Sequence, residues 1–212
     1  AWGRAGCGPG VPLAREVLVG VGRAGSEGRI SVWSADPAVQ DVLAPTKVGH
    51  TLPVDPVPYA NVIVNNAGGN KLDYYLARDI SYTAQSCDGD MRTSTVTATL
   101  TNNVNADGLT PYVASTFQPG VPYGTNEAIV YLYGTQGASI TSMRVEGVAA
   151  FSVQGGVELG HPVRAAYVTI PPGESSTVTW ELEEPTVAGE AVVPVQPLVD
   201  DPTVTVDVPV CS

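Results

Sequence analysis

Residues 65–87 read NNAGGNKLDYYLARDISYTAQSC, and this stretch decides the fold. Two alternating runs flank the turn Gly68-Gly69-Asn70. The second, Lys71 to Tyr82, sets Leu72, Tyr74, Leu76 and Ile80 apart from Asp73, Arg78 and Ser81, as a half-buried strand requires. The pattern predicts a β-hairpin closed by that turn.

Further strands are expected at Ala60 to Asn65, Thr93 to Thr101, Ala128 to Tyr133, Ser139 to Val145, Ala149 to Val153, Val163 to Ile170, Ser176 to Glu181, Val192 to Val195 and Thr203 to Val210. In Thr95 to Asn102, Val96, Ala98 and Leu100 share one face and threonines the other, which is the pattern of an antiparallel sheet with one wet side. Many short strands separated by turn residues predict a mainly β chain, an immunoglobulin-like antiparallel β-sandwich over residues 59–212.

A short α-containing segment, residues 1–58, precedes it and reads as the remnant of another domain. Val11 to Ala24 has helical spacing weakened by Gly20 and Gly22. Arg29 to Trp33 is expected as a short strand. Asp36 caps and Pro37 starts a brief helix ending at Leu43. The Pro-rich run Leu52 to Tyr59 serves as a linker.

Composition narrows the function. The formal charge is -11, with ten Lys and Arg against 21 Asp and Glu, so phosphate backbones and anionic membrane surfaces lack the cations that would attract them. No run approaches the apolar length of a membrane span, so this segment itself should make no membrane contact. Three cysteines, Cys7, Cys87 and Cys211, match no metal-ligand spacing. Cys87 and Cys211 each follow a strand-like run that could lie side by side, which favours a bridge between them; three unpaired thiols is the alternative.

Gly28 to Pro37 with Gln40 and Leu43, then Asn70-Lys71-Leu72-Asp73-Tyr74-Tyr75-Leu76, Cys87, Thr95 to Asn102 and Pro171-Pro172-Gly173-Glu174 occur in that order. From about Val11 onward the chain thereby resembles the C-terminal half of an uncharacterised actinobacterial family catalogued as domain of unknown function 4012. The resemblance implies an outward-facing envelope protein, secreted or anchored through a membrane segment and an α/β domain that precede this part. It implies no activity.

Catalytic residues are sparse. His50 and His161 lie beside turn residues and are expected at the surface, and no serine sits in a G-x-S-x-G elbow. Asp88-Gly89-Asp90 and Asn105-Ala106-Asp107-Gly108 carry oxygen ligands but also the residues that turns need. Lys71 with Asn102 and Asp73 or Glu181 has the residue types of a lysine–asparagine cross-link, against the simpler reading of Lys71 as an exposed charge at a hairpin end. No metal or cofactor is expected. Tyr74 and Tyr75, one on each face of their strand, join Tyr131 and Tyr133, with Tyr112 and Tyr123, as a candidate binding surface.

The chain thus reads as a non-catalytic extracellular envelope module for scaffolding or binding, its partner an envelope protein or a neutral glycan. Two other readings are an accessory part of a cell-wall polymer assembly protein and a subunit of a surface assembly joined by strand addition through Pro194 to Pro202.

Overall fold

Strict alternation over Met91–Asn102 and Ser175–Pro185 produces the two longest strands, paired antiparallel from Met91↔Pro185 to Thr101↔Ser175. Around this pair a computed structural model describes residues 10–54, 56–116, 119–147 and 149–211, with side chains at 10–14, 149, 150 and 154 left aside. The chain divides into two compact units at Leu52/Pro53.

The first unit carries helix α1 (Gly10–Ser26) and helix α2 (Pro37–Leu43). Asp36 caps α2 as its sequence predicts: its carboxylate accepts the Ala38 N–H at 2.9 Å, and Pro37 starts the helix without needing a donor. Arg29 to Trp33 does not form a strand; the Arg29 N–H donates to Ala24 O and the Val32 N–H to Val48 O, with no ladder between them.

Among its described residues, the second unit holds nine strands: β1 (Asn61–Asn66), β2 (Leu76–Ala84), β3 (Met91–Asn102), β4 (Asn126–Tyr133), β5 (Ser139–Glu146), β6 (Ala149–Glu158), β7 (His161–Ile170), β8 (Ser175–Pro185) and β9 (Thr203–Asp207). They form a four-stranded sheet in the order β1-β4-β7-β6 and a five-stranded sheet in the order β5-β8-β3-β2-β9. All neighbours are antiparallel except β2 and β9. The inward rows of both sheets, including Val62, Val64, Val130, Leu132, Val168 and Ile170 from one and Ile80, Val96, Ala98, Leu100, Val178 and Trp180 from the other, form one buried cluster.

The expected hairpin across Gly68-Gly69-Asn70 does not form. β1 and β2 lie in different sheets, and the start of the second run, Leu72–Tyr75, is a single 3-10 turn. Local hydrogen bonding overrides the alternation here. Asn70 Oδ1 accepts the Leu72 N–H, the Lys71 N–H donates to Val113 O, and Ala67 N–H bonds to Glu127 O, so the chain leaves β1 along β4 and crosses between sheets. Leu72 is fully buried, but in a second small cluster with Val104 and Ala114.

Val192 to Val195 likewise forms no strand. The Pro-rich return lies along β1: Val192 exchanges hydrogen bonds with Pro58 O and the Ala60 N–H, and the Gln196 side chain bonds both the N–H and the carbonyl of Val64. That edge is covered by the chain itself rather than offered to a neighbour. Arg78 holds the return in place by donating to Gln196 O and Asp200 O at 2.9 and 2.7 Å.

Cys87 and Cys211 form a disulfide, joining the β2–β3 turn to the segment after β9. Cys7 lies outside the described residues.

Leu72→Ala should cost about 2 to 4 kcal/mol in a urea melt and Val96→Ala somewhat less, with Thr97→Ala within about 0.5 kcal/mol. A larger loss from Thr97→Ala would invert the face assignment. Reducing the disulfide should lower stability by about 2 to 4 kcal/mol; unchanged melts with and without reductant would rule out its stabilising role.

Candidate functional site

The strand registers place an unusual surface on the outside of the four-stranded sheet. Ile63, Tyr131, Ala165 and Val153 stand in one row across β1, β4, β7 and β6. The rows on either side are Asn65, Ile129, Tyr167 and Phe151, and Asn61, Tyr133, Val163 and Gly156. Three of these positions are tyrosine and one phenylalanine, and none carries a charge. Since the inner face of the same sheet is also apolar, its strands are hydrophobic on both sides.

Phe151 and Tyr167 lie nearly parallel, with ring centroids 4.7 Å apart and 14° between planes, and Phe151 is 59% exposed. The pair stacks face to face at the β6 edge, so that one side of the Phe151 ring backs onto Tyr167. Tyr133 at the far end donates to Glu158 at 3.1 Å, and partial burial and the Glu158 charge push its phenol up. Beyond the Ile129 row stand Glu127 and Thr169, opposite each other on β4 and β7; both are buried, and Glu127 Oε1 and Thr169 Oγ1 have no partner.

Beside this pair, a shift in register between Val153 and Gly156 bulges β6. A groove of about 420 Å³ opens there between β5 and β6, with Ile140, Ser152, Pro162 and Arg164 in its lining.

The outer face of the five-stranded sheet differs in kind. Thr95, Thr97, Thr99 and Thr101 on β3 face Glu181, Thr179, Thr177 and Ser175 on β8. The hydroxyls pair laterally, Thr99 with Thr177 at 2.9 Å and Thr101 with Ser175 at 2.8 Å, and Thr95 donates to Glu181. Much of its hydrogen-bonding capacity is therefore satisfied within the sheet.

Buried ionisable groups serve the fold. At one end of the core, Glu184 accepts Arg92 Nε at 2.9 Å, the Tyr82 hydroxyl at 2.7 and 2.8 Å, and the Thr135 hydroxyl at 2.7 Å. Arg92 and Glu184 are both nearly inaccessible, and Arg92 Nη1 also donates to Pro209 O and lies 3.4 Å from Cys211 Sγ. Burial, and then the Glu184 charge, pushes the Tyr82 phenol up. His161, expected at the surface, is 1% exposed: Nδ1 is 2.8 Å from Gly134 O and Nε2 is 2.9 Å from Pro53 O. The turn Leu159-Gly160 folds it inward, a tertiary effect that flanking turn residues do not reveal. His50 remains exposed on the first unit.

Of the tyrosines singled out in the sequence, Tyr131 and Tyr133 lie on the aromatic face. Tyr74 and Tyr75 do not; their rings meet edge-on at 5.0 Å in the 3-10 turn, Tyr74 exposed and Tyr75 against the small cluster. Asp73 in that turn accepts Asn126 Nδ2, which puts it at the opposite end of β4 from Tyr133. Phe151 and Tyr167 escaped the sequence reading, although the near-continuous apolar run Val163 to Ile170 carried the signal of a strand buried on both faces.

Lys71 and Asn102 are not brought together. Lys71 is exposed, with Nζ 5.4 Å from the Tyr112 ring centroid, whereas buried Asn102 donates to Gly124 O and Ile170 O. The two acidic loops act as turns: Ser86 bonds Asp88, and Asn105 Oδ1 accepts the Asp107 N–H. Among the described residues, no group of three or more His, Cys, Asp or Glu is placed to hold a metal ion, and no helix is long and apolar enough to cross a membrane.

The raised Tyr82 phenol gives stability a defined pH dependence. The folded state keeps this proton above the ordinary value of 10.0, where the unfolded chain loses it, so stability is intact below about pH 10 and falls as pH rises further. Tyr82→Phe should cost about 1.5 to 3 kcal/mol at neutral pH and flatten that alkaline fall. An unchanged alkaline slope in melts of the variant would refute the assignment.

Against family models, curated proteins and solved structures, the chain shows no match.

Proposed function

We propose that this chain is a non-catalytic, immunoglobulin-like binding module of an actinobacterial cell envelope, facing the extracellular side. The observation that carries the reading is the uncharged aromatic outer face of the β1-β4-β7-β6 sheet. A sheet covered on one side needs an apolar row only toward its core; a second apolar face left on the surface marks a site of contact. The buried ionisable groups support the same view, because Arg92, Glu184 and Tyr82 bond one another and His161 bridges two backbone carbonyls. The disulfide is compatible with an oxidising compartment, and the WSADP and NKLDYYL elements support the envelope family.

Purified protein, offered ester, phosphate and glycoside substrates, should show no turnover, and immobilised protein should retain a component of an actinobacterial envelope extract. Retention should be lost with Phe151→Ala while the urea melt is preserved. Turnover with any substrate, or retention unaffected by that substitution, would overturn the reading.

A further inference from the structure

We infer that the ligand of the aromatic face is an uncharged glycan, a short run of sugar rings stacked on Phe151 where it is backed by Tyr167, and directed across the rows toward Tyr131. The inference rests on the binding reading above and supplies its ligand class.

Size argues first. Four strands about 4.8 Å apart and three outward rows about 6.8 Å apart span roughly 400 Å². A stable protein interface buries about 800 Å² on each partner, so this face is about half what a second copy or another folded protein would need. An area of roughly this size is typical of the largest functional patch on a monomer. It suits an extended ligand of small cross-section.

Chemistry argues second. A pyranose ring presents C–H bonds on its faces and hydroxyls around its rim. The electron-rich face of an aromatic ring attracts those C–H bonds, and Phe151, 59% exposed and backed by Tyr167 with 4.7 Å between centroids, offers one such face. Asn65 stands at the far side of the Phe151 row and Asn61 at the far side of the Tyr133 row. Each supplies an amide with both donor and acceptor, able to match hydroxyls of either sense.

Charge argues third. The three rows carry neither cation nor anion, and the chain's net charge of -11 repels acidic polymers. A cationic ligand would find no carboxylate within the rows. What remains complementary is a neutral, hydroxyl-rich ligand.

The test is calorimetric titration of the whole chain with cellohexaose, maltohexaose and mannohexaose, together with affinity electrophoresis in arabinogalactan and in polygalacturonate. At least one neutral probe should bind with a dissociation constant below about 1 mM. Phe151→Ala should weaken that binding about tenfold or more without moving the urea melt, and Tyr167→Ala likewise. Thr97→Ala on the opposite sheet should leave it unchanged, and raised salt should have little effect. Absence of binding to every neutral probe, binding insensitive to Phe151→Ala, or salt-sensitive binding to polygalacturonate alone would overturn the inference. If envelope extract yields instead a protein whose retention requires Phe151, the binding module stands and the glycan assignment falls. If light scattering shows a dimer that Phe151→Ala dissociates, the face is a self-interface and the glycan assignment again falls.

Discussion

The buried Arg92–Glu184 pair is the constraint on which the larger unit depends. Two charges removed from water gain little unless their remaining hydrogen-bonding capacity is met, and here Tyr82, Thr135 and Pro209 meet most of it. The pair joins β3 to β8 and its partners come from β2, the turn after β4 and the segment after β9, so it forms only when both sheets and that segment are assembled. Such a requirement disfavours alternative registers: a one-residue slip of β3 against β8 would strand both charges. Arg92 also lies against Cys211, so the covalent staple and the ionic one close the same end of the core.

The opposite end is sealed by amides and a carboxylate instead of an ion pair. Asn102 bonds Gly124 and Ile170, while Asn66 and Asn126 both donate to Asp73. These contacts tie the described residues just after β3 and just before β4 to the sheets, beside a small apolar cluster. Between the two polar ends the core is almost purely aliphatic around Trp180 and Tyr82. The aromatic face therefore sits on a sheet held from within and at both ends, which would limit the entropy lost by a weakly interacting ligand settling on it.

How much of this was legible in the sequence follows from the range of each interaction. Thr95 to Asn102 and Ser176 to Glu181 declare their strands because every alternate residue meets the same core, and Asp36-Pro37 declares a helix start because capping is local. The Cys87–Cys211 pairing was accessible because each cysteine follows a strand. Leu72-Asp73-Tyr74-Tyr75 misled because four residues fit period two and a 3-10 turn almost equally, and the Asn70 side chain decided between them. The partner of β1 is β4, some sixty residues on, and no local pattern announces it. Of the candidate site, Tyr131 and Tyr133 were visible as types, but their alignment with Tyr167 and Phe151 exists only through three strand registers.

The placement of β9 bears on how the protein is made. This strand joins β2 in parallel, across a connection of more than a hundred residues, and Cys211 follows it to reach Cys87. Until residues 203–211 have emerged, β2 has an open edge and Arg92 lacks its Pro209 acceptor. Contacts of such long sequence separation form slowly. A nascent chain arrested before residue 203 would keep that edge unpaired, so the species most open to edge-to-edge aggregation is one in which β2 has emerged without β9.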